Sequence, residues 1–451
     1  MASQKGKGFG FLFEMGTGKT LTSIAVAGTA YKLGKIKKLL IVAPTSVCAV
    51  WPKEFETFAD FKAVVKVLLG EKKKRLKVLS ELKKYPFKAL KVAVINYEFT
   101  WRDEIFEALQ DWDPDMIICD ESQRIKGHDI KQSVAMHTLG DQARYKLILS
   151  GTPVQNNALD LYSQYRFLDP SIFGTNFYRF RNRYAIMGGF NRKQVVGYRD
   201  MDQLVQKEHS IAYRVKKEEA LDLPEQVFLE RRVVLSAKEK VIYDKLKRES
   251  VAELESGDKI TATTVLTKLL RLQQLSGGFL VADGGDEAKL VNTGKLNALE
   301  EVLDDYVIDT GKKLVIFCRF RPEIAIIEKL LEKKKIQYRS IYGDVKMEER
   351  GGIVKDFQDD PEIMVFLAQI DTAGLGITLT AADTCIYYSV NFNYAAYSQS
   401  LARIHRIGQK NTCTYIHLIT EDTVDEVILK ALAKKEDLAK AVVDEWRNYF
   451  K

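Results

Sequence analysis

The chain has 451 residues, 46% hydrophobic and 29% charged, with 69 Lys and Arg against 61 Asp and Glu and a net charge of +8. This is the composition of an ordinary soluble protein with room for two cores and about three structural units, and its mild basicity permits a polyanionic partner without demonstrating one. Five scattered cysteines with no C-x-x-C pair, and few, widely spaced histidines, exclude a disulfide framework and argue against a zinc site. No apolar run reaches membrane-spanning length, so no membrane association is expected. The basic start "MASQKGKG" lacks a signal-peptide core, which makes the location cytoplasmic, nuclear, or host-cytoplasmic if the protein is viral.

The first element is an apolar strand, Phe9 to Phe13, followed by "EMGTGKT" and then by a helical stretch from Thr20. Gly16, Thr17, Gly18, Lys19 and Thr20 therefore fall at a strand-to-helix turn. Backbone N–H groups at a helix start have no intrahelical partner, and small residues let phosphate oxygens approach them. Lys19 would reach the terminal phosphates and the Thr20 hydroxyl a Mg²⁺ ion. Phe13 stands where the strict loop pattern has glycine, so the loop needs support from elsewhere in the chain.

Further strands follow at "KLLIVAP" (38–44), "LKVAVINY" (90–97), "DMIICDE" (115–121) and "YKLILSG" (145–151). Runs that are apolar on both faces and alternate with helical patterns predict a parallel sheet covered by helices. The third run ends in Asp120 and Glu121, at the sheet edge where open α/β folds bind ligands. Asp120 would hold Mg²⁺, and Glu121 would orient and deprotonate an attacking water.

From about 155 to 290 the pattern changes to long helical periodicity, with an aromatic and basic stretch at Phe177 to Tyr198. Aromatic side chains at helical spacing there are expected to pack into the core rather than stack on bases. "ADGGDEAK" (282–289) reads as a surface loop. "NTGKLNALEE" (292–301) imitates a phosphate loop, but Leu296 sits where a hydroxyl is needed, so it reads as a helix start. A second strand series follows at 313–318, 338–343, 362–368, 384–389 and 413–420, and predicts a second α/β lobe. In "QSLARIHRIGQK", Arg403 and Arg406 are three apart and are expected on one side of a helix. The expected domains are a first lobe at 1–168, a helical insertion and linker at 169–290 that belongs partly to each lobe, a second lobe at 291–430 and a C-terminal helix at 431–451.

The ordered set "EMGTGKT", "IVAPTSVCAVWPKEF", "DESQRIK", "LSGTPVQNN", "VIFCRF", "DTAGLGITLTAAD" and "QSLARIHRIGQ" resembles the successive motifs of the Swi/Snf-type ATPases of helicase superfamily two, over nearly the whole chain. The resemblance implies two RecA-like lobes with parallel sheets and helical insertions between them. It also implies ATP and Mg²⁺ as ligands, and monomeric, sequence-nonspecific tracking along double-stranded DNA without strand separation. Gly16, Gly18, Lys19 and Thr20 match the phosphate loop, Asp120 and Glu121 the metal and water carboxylates, and Gln399, Arg403 and Arg406 the arginine-finger motif. Ser150, Gly151 and Thr152 match the motif linking nucleotide state to DNA. Thr45, Ser46, Asn96, Thr372 and Thr378 fall at DNA-contacting or coupling positions. Gln123 replaces the usual histidine, and Thr378 a usual asparagine. The adenine-reading segment expected before the phosphate loop is largely missing, through truncation or relaxed base selection. A strand-separating helicase or restriction-type motor, and a DNA clamp that binds nucleotide without turnover, are the alternatives.

Overall fold

The computed structural model describes residues 8–86, 88–189, 194–255, 262–281 and 288–439. The chain divides into two compact units, Met1–Leu221 with Lys435–Lys451, and Asp222–Lys434. Most of the loop expected at 282–289, and the last twelve residues, lie outside the described residues.

In the first unit the strands are β1 (Gly8–Phe13), β2 (Lys38–Ala43), β3 (Ala63–Leu68), β4 (Leu90–Asn96), β5 (Met116–Asp120) and β6 (Tyr145–Leu149). The hairpin strands β7 (Ala185–Gly188) and β8 (Gln194–Tyr198) follow, and then β9 (Ala212–Val215). Seven of them form one sheet in the order β3-β4-β2-β5-β6-β1-β9, and every pairing in it is parallel. Side chains alternate between its faces: Leu40, Val42, Ile117, Cys119 and Ile148 enter one core, while Leu39, Ile41, Met116, Ile118, Leu147 and Leu149 enter the other. Burial on both faces is the reason these strands read as unbroken apolar runs.

The second unit holds β10 (Gln226–Val233), β11 (Phe279–Val281), β12 (Ala288–Leu290), β13 (Leu314–Cys318), β14 (Gln337–Ile341), β15 (Ile363–Gln369), β16 (Thr384–Tyr387) and β17 (Cys413–Thr420). Its six-stranded sheet runs β10-β17-β16-β13-β15-β14 and is also parallel throughout. Val315, Phe317, Phe366 and Tyr387 line one face; Leu314, Ile316, Leu367 and Ile386 line the other.

Residues 169–290 belong partly to each unit, the division falling at Leu221 and Asp222. The stretch is divided by strand pairing: β9 adds to β1, and β10 pairs with β17 along its whole length. Both are sheet-edge strands, and β10 is exposed at six of its eight positions, so neither carries an apolar run. In the aromatic stretch, Phe180 and Tyr184 are buried against Tyr162 and Phe173, whereas Tyr178 faces solvent with Arg181 over its ring. The imitation loop is the helix Gly294–Leu303. Its Lys295 is buried, 2.6 Å from Asp425 and 3.0 Å from the Tyr388 carbonyl, and so is a structural cation of the core. All five cysteines are free and buried.

Candidate nucleotide site

Between β1 and the helix Lys19–Lys32, Gly16 and Gly18 take positive φ of 87° and 93°. A Cβ at either would meet nothing within 4 Å, so glycine is needed there for the backbone conformation. The turn is tied down by Thr17, whose N–H and hydroxyl both donate to the Glu14 carbonyl, at 3.3 and 2.9 Å. Lys19 Nζ donates to the carbonyls of Phe13 (2.9 Å) and Glu14 (3.2 Å), which holds the ammonium at the head of the turn. Burial draws its pKa down, against the pull of Glu121 and Asp120.

Asp120 closes β5 at 8% exposure, and its carbonyl accepts from the Tyr97 hydroxyl at 2.8 Å. Burial first, and the neighbouring Glu121 second, push its carboxyl up to about 7, with Lys19 opposing. Two carboxylates and one ammonium gathered in a buried corner form a site that gains from a further cation. Thr20 and Asp120 are the residues that would hold Mg²⁺, a small donor set that suits an ion otherwise bound by phosphate oxygens and water. Glu121 sits at φ 51°, a left-handed conformation that costs a non-glycine residue about 1 kcal/mol and concentrates at functional sites.

Gln123, 7% exposed, joins this corner to the segment after β6. Its Nε2 donates to Glu121 Oε2 at 2.5 Å, and its Oε1 accepts from Ser150 Oγ at 2.7 Å. Ser150 Oγ in turn accepts from the Thr152 N–H at 3.1 Å. A second link runs from Ser122 Oγ to Gln164 Oε1 (2.7 Å) and from Gln164 Nε2 to the Pro153 carbonyl (2.8 Å). Gln164 and Tyr97 escape sequence reasoning, since each lies in an ordinary run and only the fold brings Tyr97 to the Asp120 carbonyl and Gln164 to Ser122.

The other expected positions are distributed as follows. Thr45 and Ser46 open the short helix Thr45–Cys48 after β2, with Thr45 Oγ1 3.4 Å from Glu98. Asn96 ends β4 but is 3% exposed, and its side chain is taken by Arg75 (2.8 Å) and Glu98 (2.6 Å). In the second unit Thr372 is buried, its hydroxyl donating to the Gln369 carbonyl, and Thr378 is half-buried. Gln399 lies on the helix Tyr394–Leu401.

Arg403 and Arg406 do not share a helix: it ends at Leu401, and the Arg403 carbonyl instead accepts from the Leu379 N–H at 2.9 Å. That bond draws the backbone out of helical register. The two guanidiniums nevertheless converge, both donating to the Ile377 carbonyl, at 3.3 and 3.2 Å.

The family model for the SNF2-related domain matches residues 3–277, and that for the helicase conserved C-terminal domain matches 294–408. The chain belongs to the SNF2-related family. It is thus of the Swi/Snf type within helicase superfamily two, and its two parallel-sheet α/β units are consistent with the two RecA-like lobes of that family. Among its relatives is the chromodomain-helicase-DNA-binding protein 1-like of Danio rerio, 29% identical over 96% of this chain and 42% of its own length. The nuclear protein STH1/NPS1 of Saccharomyces cerevisiae is 28% identical over 95% of this chain and 33% of its own length. The chain thus spans less than half the length of these relatives. A Sulfolobus solfataricus SWI2/SNF2 ATPase core solved with double-stranded DNA is 26% identical, with coverage of 99% and 91% and a TM-score of 0.43.

Proposed function

We propose that this SNF2-family chain is an ATP-driven translocase on double-stranded DNA, binding without sequence preference and remodelling protein–DNA complexes. The observation that carries this reading is the hydrogen-bonded path from Glu121 through Gln123 to Ser150 and the Thr152 N–H. It joins the carboxylate suited to activating water to the segment matched with DNA coupling.

In this reading the helix start at Lys19 and the amides of the glycine turn receive the phosphates, and the Lys19 ammonium leaves its carbonyls for the terminal phosphates. Thr20 and Asp120 would hold Mg²⁺, which would supply positive charge beside the phosphate oxygens. Glu121 orients the attacking water and takes its proton. Arg403 and Arg406 are the arginine fingers, with Gln399 as their neighbour on the motif. Thr45, Ser46, Thr372 and Thr378 contact the DNA backbone or relay to it, and Asn96 acts by ordering Glu98 beneath Thr45. Because such contacts address phosphates rather than base edges, they carry no sequence preference.

The test is steady-state ATP hydrolysis with no nucleic acid, single-stranded DNA, duplex DNA and duplex RNA, with Lys19→Ala as the blank. Stimulation by duplex DNA, together with displacement of a third strand from a triplex but no release of a strand from a duplex, is the expected result. Release of a duplex strand would instead identify a strand-separating motor. Nucleotide binding with turnover no greater than the blank would identify a clamp.

A further inference from the structure

Arg214, on β9, is 6% exposed, and its guanidinium is divided among three segments of the first unit. Nη1 donates to the Leu12 carbonyl at 2.9 Å and to the Gly151 carbonyl at 3.1 Å, and Nη2 donates to Glu14 Oε1 at 2.9 Å. The other Glu14 oxygen, Oε2, accepts from the backbone N–H of Lys217 at 2.9 Å. One ion pair therefore joins the last residues of β1, the first residue of the phosphate loop, the turn after β6 and the chain that leaves the unit through Lys216–Leu221.

Its place in the loop gives this pair a function. Glu14 supplies the carbonyl that anchors both polar groups of Thr17 and, with Phe13, receives Lys19 Nζ. The turn after β6 lies so close that a Cβ on Gly151 would be 3.2 Å from the Phe13 carbonyl. Burying a guanidinium costs several kcal/mol, and an apolar side chain would pack an edge strand at less cost. The planar fork is what a three-way junction uses, because a lysine ammonium presents no such rigid array of donors.

We infer that Arg214 is a positioning residue for the phosphate loop, and that the Glu14–Arg214 pair makes the segment Lys216–Leu221 respond to the nucleotide held by that loop. The inference rests on the ATP-hydrolysing reading of the site.

The test uses the full chain with Arg214→Lys, Glu14→Gln and the double variant. Nucleotide affinity is measured with a fluorescent ATP analogue, KM and kcat with saturating duplex DNA, the thermal midpoint by circular dichroism, and tryptic cleavage at Lys216 and Lys217 with and without a non-hydrolysable ATP analogue. Each single variant is expected to raise the nucleotide Kd and KM about tenfold with kcat nearly kept, the effect of a misplaced binding loop. The double variant is expected to be no worse than the weaker single, since the two residues act as one unit. The analogue should slow tryptic cleavage at Lys216–Lys217 in the parent chain and lose that effect in the variants. Unchanged Kd and KM, a loss confined to kcat, multiplying effects in the double variant, or variants whose cleavage still responds to nucleotide would each overturn the inference. If Arg214→Lys lowers the thermal midpoint below the assay temperature, Glu14→Gln, at a partly exposed position, decides alone. A parent chain that bound no nucleotide would overturn the ATP reading itself.

Discussion

In the proposed function Lys19 and Glu121 divide the chemistry of the site, and single substitutions separate their roles. Lys19→Ala removes the ammonium that would follow the phosphates, and is expected to abolish both tight nucleotide binding and turnover. Glu121→Gln keeps the hydrogen-bonding shape but cannot take a proton; kcat is expected to fall by about 10²–10⁴ with nucleotide affinity retained, measured by titration beside steady-state hydrolysis. In the second unit, burial pushes the Glu323 carboxyl up to about 7 from an ordinary 4.5. Folding thus favours the protonated form, and the stability this contributes is present below the unfolded value and lost as pH rises through 7. Glu323→Gln cannot ionise, and can still accept from the N–H groups of Arg319 and Phe320. Urea unfolding should show the variant gaining on the parent by at most about 3 kcal/mol between about pH 4 and pH 8.

Among the elements, the helix Lys19–Lys32 shows packing overriding propensity. Gly28 lies in its interior, where alanine is favoured by about 1 kcal/mol. A Cβ at that position would fall 2.2 Å from Phe61 Cε1, and the Phe61 ring is packed against Phe55 and Tyr31. Gly28→Ala is therefore expected to destabilise the first unit by about 1–2 kcal/mol, read as a lower thermal midpoint. The helix Gly294–Leu303 makes the contrasting case. Its Lys295 neutralises Asp425, which also accepts from Ser276 Oγ and the Thr420 N–H. Lys295→Met should leave a buried carboxylate uncompensated and cost about 3–5 kcal/mol. A variant of parental stability would show that this lysine is not the structural cation described above.

For the whole molecule, a net charge of +8 in 451 residues is too small to make polyanion binding a property of the entire surface. Under the proposed function, duplex binding would come from local phosphate contacts, and each displaced counterion would weaken the complex as salt rises. The duplex concentration for half-maximal ATPase stimulation is expected to rise by about tenfold or more between 50 and 200 mM salt. A salt-independent duplex requirement would argue against phosphate contacts as the source of affinity.

The sequence by itself determined the two parallel α/β sheets, because strands buried on both faces must be apolar at every position, and β2, β4, β5, β6, β13, β15 and β16 are nearly so. It also determined the glycine turn between β1 and the helix Lys19–Lys32 and the Asp120–Glu121 strand end, since those groups are contiguous and their spacing is their geometry. The tertiary structure decided the rest. Edge strands such as β9 and β10 bury too little to leave an apolar run, so only pairing reveals them, and only the fold places the division of 169–290 at Leu221 and Asp222. Arg403 and Arg406 leave the helix through a backbone bond to Leu379. Glu14 and Arg214, 200 positions apart in the chain, meet because β9 adds to β1, and no local pattern encodes a contact made across a sheet.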